Sequence, residues 1–386
     1  MQPGFFDFAS ELEQLRQAGL YRQRRVVEGP QAIKLQIDGR CLINFCSNDY
    51  LGLANHPLLA SAFKRAVDQY GVGSGASHLI SGHTQAHHAL EEELAEFTGR
   101  ERALLFSTGY MANLGIVSAL IDRGGRVFED RLNHASLLDG GLLSRAEFQR
   151  YQHNDLDDLQ HRLKQSNPKT LIVTDGVFSM DGDLAKLLGL VKLAEQHRAA
   201  LMVDDAHGFG VLGATGAGVA EHFALDQKQL PILMATLGKA CGSFGAFVAG
   251  DQNLIEYLIQ KSRSYIYTTA MPAAVAEATR ASLKLIKTET WRRERLQQLI
   301  VYFRKSAAQQ NLKLMDSMTA IQPILVGDSH AVLLAGQKLQ ALGFWVGAIR
   351  PPTVPRGSAR LRITLSAEHS FDQIDRLLEV LPEALA

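Results

Sequence analysis

Pro231-Ile-Leu-Met-Ala-Thr-Leu-Gly-Lys239-Ala-Cys-Gly-Ser-Phe-Gly245 runs from a short apolar stretch straight into a lysine set among small residues. Lysines usually sit on solvated surfaces; one placed after a buried strand loses hydration, which lowers its ammonium pKa towards neutrality. A neutral amine is a nucleophile that forms Schiff bases with carbonyl compounds, and the hydroxyl of Thr236, three residues upstream, can bind a phosphate. Taken alone, Gly238-Lys239 reads more simply as a loop lysine beside a strand. The rest of the chain decides between the two.

Working outward, the apolar run Leu230–Thr236 is one of a series in which strand and helix patterns alternate. Strands are expected at Ala103–Phe106, Arg126–Glu129, Thr170–Thr174 and Ala200–Asp204, with helices at Met111–Ile121 and Ala185–His197. This alternation predicts a mainly parallel sheet with helices on both faces. Ligands of such sheets bind beyond the carboxyl ends of the strands, which puts Ser107-Thr-Gly109-Tyr110, Asp175, Asp204 and Lys239 on one rim. After Tyr265–Pro272 a long helical stretch, Ala273 to Gln310, leads to a second α/β unit. Its strands are expected at Ala320–Val326, Trp345–Ile349 and Arg360–Thr364, and its helices at Ala331–Leu342 and Phe371–Leu381. The expected division is an N-terminal arm over residues 1–50, a large domain over 51–285 and a small one over 286–386.

Before the alternation starts, Ser10–Arg25 has an amphipathic helical pattern (Leu12, Leu15, Leu20) ending in the basic cluster Arg22, Arg24 and Arg25. Ile33–Asn44 alternates like a hairpin around the turn pair Asp38-Gly39. Pro57 opens a helix that Gly71 closes, with Leu58, Leu59, Phe63, Ala66 and Val67 expected on its buried side. The glycine- and serine-rich stretch Gly71–Gly82 predicts an irregular loop, and loops of this kind tend to carry function. In the helix that follows, His87–Phe97, the spacing His87-His88-x-x-Glu91 has the look of a zinc motif. Adjacent histidines point to different helix faces and no third ligand accompanies them, so no metal is expected.

Composition narrows the function. The chain has 386 residues, 46% hydrophobic and 21% charged, with a formal net charge of zero. It exceeds what one core comfortably fills, but its make-up is that of an ordinary globular protein. Without a basic excess or a block of like charge, nucleic acid and anionic membrane are not expected partners, which leaves a small molecule. Cys41, Cys46 and Cys241 fit neither a disulfide framework nor a metal knuckle and read as reduced thiols. Residues Met1–Phe8 show no leader pattern, and no apolar run reaches membrane-spanning length, so the expected location is the cytoplasm.

Two further stretches carry chemistry. In Ser107-Thr-Gly-Tyr-Met-Ala-Asn113 a strand ends, a glycine allows a tight turn and a helix begins, a setting that binds phosphate. In Ala200-Leu-Met-Val-Asp-Asp-Ala-His-Gly208, Asp204 ends a buried strand; a buried carboxylate needs a partner, and a protonated pyridine nitrogen would suit it. Gly208-Phe-Gly-Val-Leu-Gly213 also fits the dinucleotide fingerprint of an oxidoreductase. That fingerprint should open a helix directly from the strand, whereas here Asp-Asp-Ala-His intervenes and further glycines, Gly216 and Gly218, follow.

The ordered set Gly109-Tyr110, His134, Asp204, His207, Thr236 and Lys239 resembles that of the α-oxoamine synthases, enzymes that depend on pyridoxal 5'-phosphate (PLP). Ser47-Asn-Asp-Tyr-Leu-Gly, Asp130-Arg-Leu-Asn-His-Ala-Ser, Gly176-Val-Phe-Ser-Met-Asp-Gly-Asp, Asp204-Asp-Ala-His-Gly and Thr236-Leu-Gly-Lys239 all look like that family. The resemblance spans about Ala18 to the C-terminus. It implies the fold type I of PLP-dependent transferases: a large domain with a mainly parallel, seven-stranded-type sheet flanked by helices, and a smaller C-terminal α/β domain.

The same resemblance implies roles. Lys239 would anchor PLP covalently, Asp204 would pair with the pyridine nitrogen, His207 would contact the ring hydroxyl and His134 would stack on the ring. Ser179 would contact the cofactor, while Gly109, Tyr110 and Thr236 would serve its phosphate. Arg362, helped by Asn48, would hold an amino-acid carboxylate, and Arg22 and Thr353 would contact the acyl substrate. Tyr267–Pro272 is similar to a segment that reaches a neighbouring subunit's phosphate, which implies a homodimer with Thr268 and Thr269 as donors at shared sites. Ile349–Arg362 is most similar to the member that joins L-alanine to a pimeloyl thioester, whether carried by coenzyme A or by an acyl carrier protein. Siblings that use glycine, such as glycine C-acetyltransferase and 5-aminolevulinate synthase, share the catalytic set. Ala76, His78 and His83 depart from the family pattern near the substrate entrance.

Overall fold

The computed structural model describes residues 7–164 and 169–386, so most of the stretch read for a leader lies outside the described residues. Two compact units emerge: Leu51–Ser179 with Asp183–Arg293, and Met1–Tyr50 with Met180–Gly182 and Glu294–Ala386. No helix among the described residues is long and apolar enough to cross a membrane.

The larger unit is built on a seven-stranded sheet in the order Arg102–Phe106, Ala246–Gly250, Ile232–Thr236, Ala200–Asp204, Thr170–Asp175, Arg126–Asp130, Glu147–Tyr151. Every residue of Thr170–Asp175 and of Ala246–Gly250 is buried, as expected of strands covered on both faces. Ala246–Gly250 runs antiparallel to both neighbours, while the pairings between the other strands are parallel. Sequence reading did not find this strand, because it follows directly on a glycine-rich turn. There Gly245 (φ 108°) lets the chain double back, its carbonyl accepting the Leu237 N–H at 2.9 Å.

Register aligns the strand ends. Phe106 faces Ala246, which faces Thr236; Asp204 faces Met234 on one side and Asp175 on the other. The carboxyl ends of the parallel strands therefore share one edge, and the core beneath is apolar, with Leu104, Val173, Met202, Met234 and Val248 packed with Ile116, Val117 and Leu137 of the helices.

Helix boundaries follow local chemistry. Pro57–Tyr70 begins with proline at its first turn and ends at Gly71 (φ 77°). It buries Leu59, Ala62 and Ala66 against the helix Ala273–Thr288, whereas Leu58 and Phe63, expected inside, are exposed. The N-terminal helix is Phe8–Gln17 and stops short of the expected Arg25, with Gly19 in the left-handed region (φ 65°). The expected loop Gly71–Gly82 contains a turn of π-helix, His78–Gly82. The single long helix expected over Ala273–Gln310 is two, Ala273–Thr288 and Trp291–Gln309, and at the break Glu289 pairs with Arg292 at 2.7 Å.

The other unit holds two small sheets. Val27–Glu28, Lys34–Ile37, Arg40–Asn44 and Phe344–Trp345 form one, with the expected hairpin turn at Asp38 (φ 50°) and Gly39 (φ 73°). Ile321–Gly327, Ala359–Thr364 and Gly347–Ile349 form the other, all antiparallel. The strand expected over Trp345–Ile349 is thus split between two sheets. Phe344–Trp345 pairs parallel with Arg40–Asn44, and Gly347–Ile349 pairs with Ala359–Thr364.

One ion pair braces the larger unit beside the sheet edge. His153 sits between Asp130 (3.0 Å) and Asp183 (2.9 Å), its ring edge-on to Phe178. Burial alone would lower its pKa; hydrogen bonds and charge from the two carboxylates outweigh this and raise it to about 10. A raised histidine pKa stabilises the fold fully below the unfolded value of about 6.5, and that stabilisation is lost as pH climbs through the folded value. His153→Gln should therefore lower the urea midpoint most below pH 6.5. The gap should close between pH 6.5 and 10 by at most about 1.4 kcal/mol per pH unit. A gap independent of pH would show that His153 carries no charge in the fold.

Candidate active site

Lys239 lies three residues past the end of Ile232–Thr236 and is half-buried, and its Nζ is 2.8 Å from Nε2 of the buried His207. The histidine comes from the turn after Ala200–Asp204, the neighbouring strand, so adjacent parallel strands deliver the amine and the imidazole to one place.

Asp204 is buried at the end of its strand, and its carboxylate accepts hydrogen bonds from Asn113 Nδ2 (2.7 Å) and the Ala206 N–H (2.9 Å). The second hydrogen of that amide goes to Ser136 Oγ at 2.8 Å, and Ser136 Oγ lies 2.7 Å from His134 Nδ1. Because Nδ1 also accepts the Ser136 N–H (3.3 Å), the serine hydroxyl donates to it, which leaves the ring's proton on Nε2. Burial lowers the His134 pKa despite the nearby Asp204 charge, which favours this neutral form. The backbone N–H of His134 donates to Asp175 at 2.7 Å. Asn113 and Ser136 were missed as functional residues, although both stand in the motifs Ser107–Asn113 and Asp130–Ser136; nothing local marks them as a bridge between strands.

At the next strand end, Thr108 caps the helix Gly109–Leu120 by accepting the Met111 N–H at 3.2 Å. The N–H groups of Gly109 and Tyr110 thus belong to an open helix N-terminus. Tyr110 hydrogen-bonds Asp139 and meets His134 edge-on, with ring centres 6.2 Å apart. Thr236 Oγ1 donates to the Gly245 carbonyl (3.0 Å) and accepts the Gly238 N–H (3.3 Å). Ser179 is half-buried in the turn after Phe178. Thr268 and Thr269 precede the helix Ala273–Thr288, and the Thr269 carbonyl is 3.5 Å from Ser107 Oγ.

The glycine run does not act as a dinucleotide fingerprint. After Gly208 the chain continues through turns, and a helix opens only at Val219–His222. A Cβ at Gly208 would run into one carboxylate oxygen of Asp205, and one at Gly218 into the other, which accepts the Val219 N–H at 2.8 Å. These glycines let the chain fold closely round a buried carboxylate.

In the smaller unit, residues expected to act together also meet. Arg362, buried on Ala359–Thr364, donates through Nη1 to Asn48 Oδ1 (3.1 Å) and Thr364 Oγ1 (3.0 Å), and Tyr50 OH donates to the same Asn48 oxygen (3.3 Å). Arg22 Nη2 lies 3.3 Å from Thr353 Oγ1.

The histidine-rich region differs from expectation. His87 turns inwards, its Nδ1 accepting the Thr84 N–H (3.1 Å) and its Nε2 donating to the Met271 carbonyl (2.7 Å). It is His88 that shares a group with Glu91, and a third donor comes from His83, which precedes the helix.

A family model for aminotransferases of class I and II matches residues 40–381. The 8-amino-7-oxononanoate synthase of Methylococcus capsulatus is 61% identical over 98% of each chain. Among solved structures, serine palmitoyltransferase from S. paucimobilis with a bound PLP–myriocin aldimine superposes with a TM-score of 0.93 at 31% identity, covering 98% of this chain and 97% of that one. An 8-amino-7-oxononanoate synthase from Francisella tularensis gives 0.79 at 36% identity, covering 89% and 97%. By this evidence the chain belongs to the aminotransferase class I and II family and, within it, to the family of the 8-amino-7-oxononanoate synthases.

Proposed function

We propose that this chain condenses L-alanine with a pimeloyl thioester, using PLP, to give 8-amino-7-oxononanoate, carbon dioxide and the free thiol, a step of biotin synthesis. One observation carries the reading: a chain 61% identical over nearly its whole length to an 8-amino-7-oxononanoate synthase has Asp204 at the end of one strand, His207 in the turn after it and Lys239 three residues past the end of the neighbouring strand.

The donor set fits PLP. A buried carboxylate oriented by Asn113 and the Ala206 N–H suits a pyridinium N–H, an amine suits an aldehyde, and an open helix N-terminus with Thr236 beside the same sheet edge suits a phosphate. Bound there, PLP supplies an electron sink for the negative charge left when a proton leaves Cα of alanine. Lys239 would anchor the cofactor and supplies the amine that would take that proton; His207, 2.8 Å away, orients this amine. Asp204 keeps the pyridine nitrogen protonated. His134 and Ser179 are assigned to the cofactor, and His134 also to the substrate. Gly109, Tyr110 and Thr236 are assigned to the phosphate, with Thr268 and Thr269 reaching the partner subunit's site in a homodimer. Arg362 with Asn48 binds the alanine carboxylate, which departs as carbon dioxide after the new carbon–carbon bond forms. Arg22 and Thr353 take the acyl chain. The enzyme is assigned to the cytoplasm, in keeping with three free cysteines.

Purified protein should be yellow, and borohydride should fix the cofactor's mass onto the Lys239 peptide; Lys239→Ala should abolish both the labelling and turnover. Asp204→Asn should retain some cofactor but slow deuterium exchange at alanine Cα, measured without acyl donor, by about 10²–10⁴-fold. Arg362→Ala should chiefly raise KM for alanine, by about 10- to 100-fold, the worth of a lost charge-assisted hydrogen bond. Product formation assayed with alanine against glycine, over pimeloyl and shorter thioesters of both carriers, checks the activity itself. A preference for glycine, or no product from the pimeloyl donor, would move the chain to a sibling reaction. Sedimentation should give a dimer, and a fully active monomer at nanomolar concentration would refute shared sites.

A further inference from the structure

Four histidines fall between Ser77 and Ala89, and the larger unit gathers two of them round a carboxylate. His88 and Glu91 stand three residues apart on the helix Gln85–Thr98, hence on one face, and His83 approaches from the turn before it. One ligand atom from each of His83, His88 and Glu91 lies within 4.8 Å of the others, the one such group of His, Cys, Asp and Glu among the described residues. The pair His83 Nε2 and Glu91 Oε2 is 3.9 Å apart.

What holds these side chains matters as much as their spacing. His83 turns its other nitrogen, Nδ1, to His78 Nδ1 at 3.0 Å, and His78 is itself stacked on Tyr265. Glu91 turns its other oxygen to the Leu105 N–H, which donates to it at 2.9 Å. Each is therefore oriented by the atom that faces away from the group, leaving Nε2 and Oε2 directed inwards. Outer partners of this kind fix ring tautomers and ligand orientation at metal centres. His88 is exposed and currently meets Glu92 at 3.4 Å, so a change of its rotamer both completes the group and keeps a path open from solvent.

We propose that His83, His88 and Glu91 form a binding site for a divalent transition-metal ion, zinc foremost, with water as the fourth ligand. Two imidazoles and one carboxylate are a donor set that zinc takes at about 2.0–2.2 Å, leaving one position open. Tetrahedral ligand atoms at that radius stand about 3.3 Å apart, so the three need draw together by only about 0.5–1.5 Å, within reach of side-chain rotation. None of the residues around Lys239 takes part. A bound ion would fasten the segment His78–His83 to the helix Gln85–Thr98. That segment continues into Ala76 and Ser74, which hydrogen-bond Ala270 (3.0 Å) and Met271 (2.6 Å).

The test uses tag-free holoenzyme stripped with a chelator, equilibrium dialysis against zinc and elemental analysis of the bound metal. About one zinc per chain is expected, with affinity falling at least about tenfold in each of His83→Ala, His88→Ala and Glu91→Gln, and unchanged in the control His222→Ala. Cobalt should give the visible bands of a four-coordinate ion in the wild type and lose them in the same variants. Glu91→Gln keeps the acceptor for Leu105, and His88 lies at the surface, so at least His88→Ala reports on a folded chain. No binding to the stripped protein, or equal affinity in His88→Ala, would overturn the proposal.

Discussion

Two carboxylates end neighbouring parallel strands in register, Asp175 beside Asp204, and both are buried. Side by side in a low dielectric they cannot both be charged cheaply, so one must hold a proton. Burial, and then the charge of Asp204, push the pKa of Asp175 well up. The donors are divided to match. Asp204 receives the Asn113 amide and the Ala206 N–H, while Asp175 receives the His134 N–H. The division of donors assigns to Asp204 the place facing a positively charged ring nitrogen.

From that assignment the surrounding polar groups follow in order. Asn113 spends both its amide hydrogens, on Asp204 and on Ser136, and Ser136 in turn donates to His134. A chain of single-direction hydrogen bonds thus fixes the tautomer of a histidine that would otherwise be free to flip. The links come from one strand end, Asp204, and two helix starts, that of Asn113 and that shared by His134 and Ser136, which the sheet's register holds together. A shift of one residue in any of these strands would turn Asp204 or Asp175 to the other face and break it.

The buried parallel strands and their rim were legible because such strands announce themselves as apolar runs, and Asp175, Asp204 and Lys239 each stand at or just after the end of one; the edge strand Glu147–Tyr151, mostly polar and part-exposed, was not. What escaped reading depended on partners far along the chain. Ala246–Gly250 is too short and too close to Gly245 to separate from the turn before it. The break at Glu289 carries no glycine or proline to announce it; an ion pair between Glu289 and Arg292 spans it. Helical periodicity correctly finds an amphipathic face in Pro57–Tyr70, but not how wide it is. The face that packs on Ala273–Thr288 is narrow enough for alanine, so Leu58 and Phe63 fall outside it. The histidine pattern was incomplete for a related reason: spacing alone shows His87, His88 and Glu91 and no third ligand, whereas the fold turns His87 inwards to Met271 and brings His83 to His88 and Glu91.

Asp204 and Asp205 show how adjacent identical residues part company. A strand presents successive side chains to opposite faces, so if Asp204 meets the Asn113 amide, Asp205 must point the other way. There it is fully buried, and its pKa is driven well up by burial. It can be accommodated only because the chain after it is built largely of glycine. Gly208 and Gly218 leave room for its oxygens where any Cβ would collide, and the Val219 N–H supplies a hydrogen bond. The turn that results is the one that carries His207 back to Lys239. Glycines that could be taken for a nucleotide site therefore owe their positions to one carboxylate, and through it they set the geometry around the other.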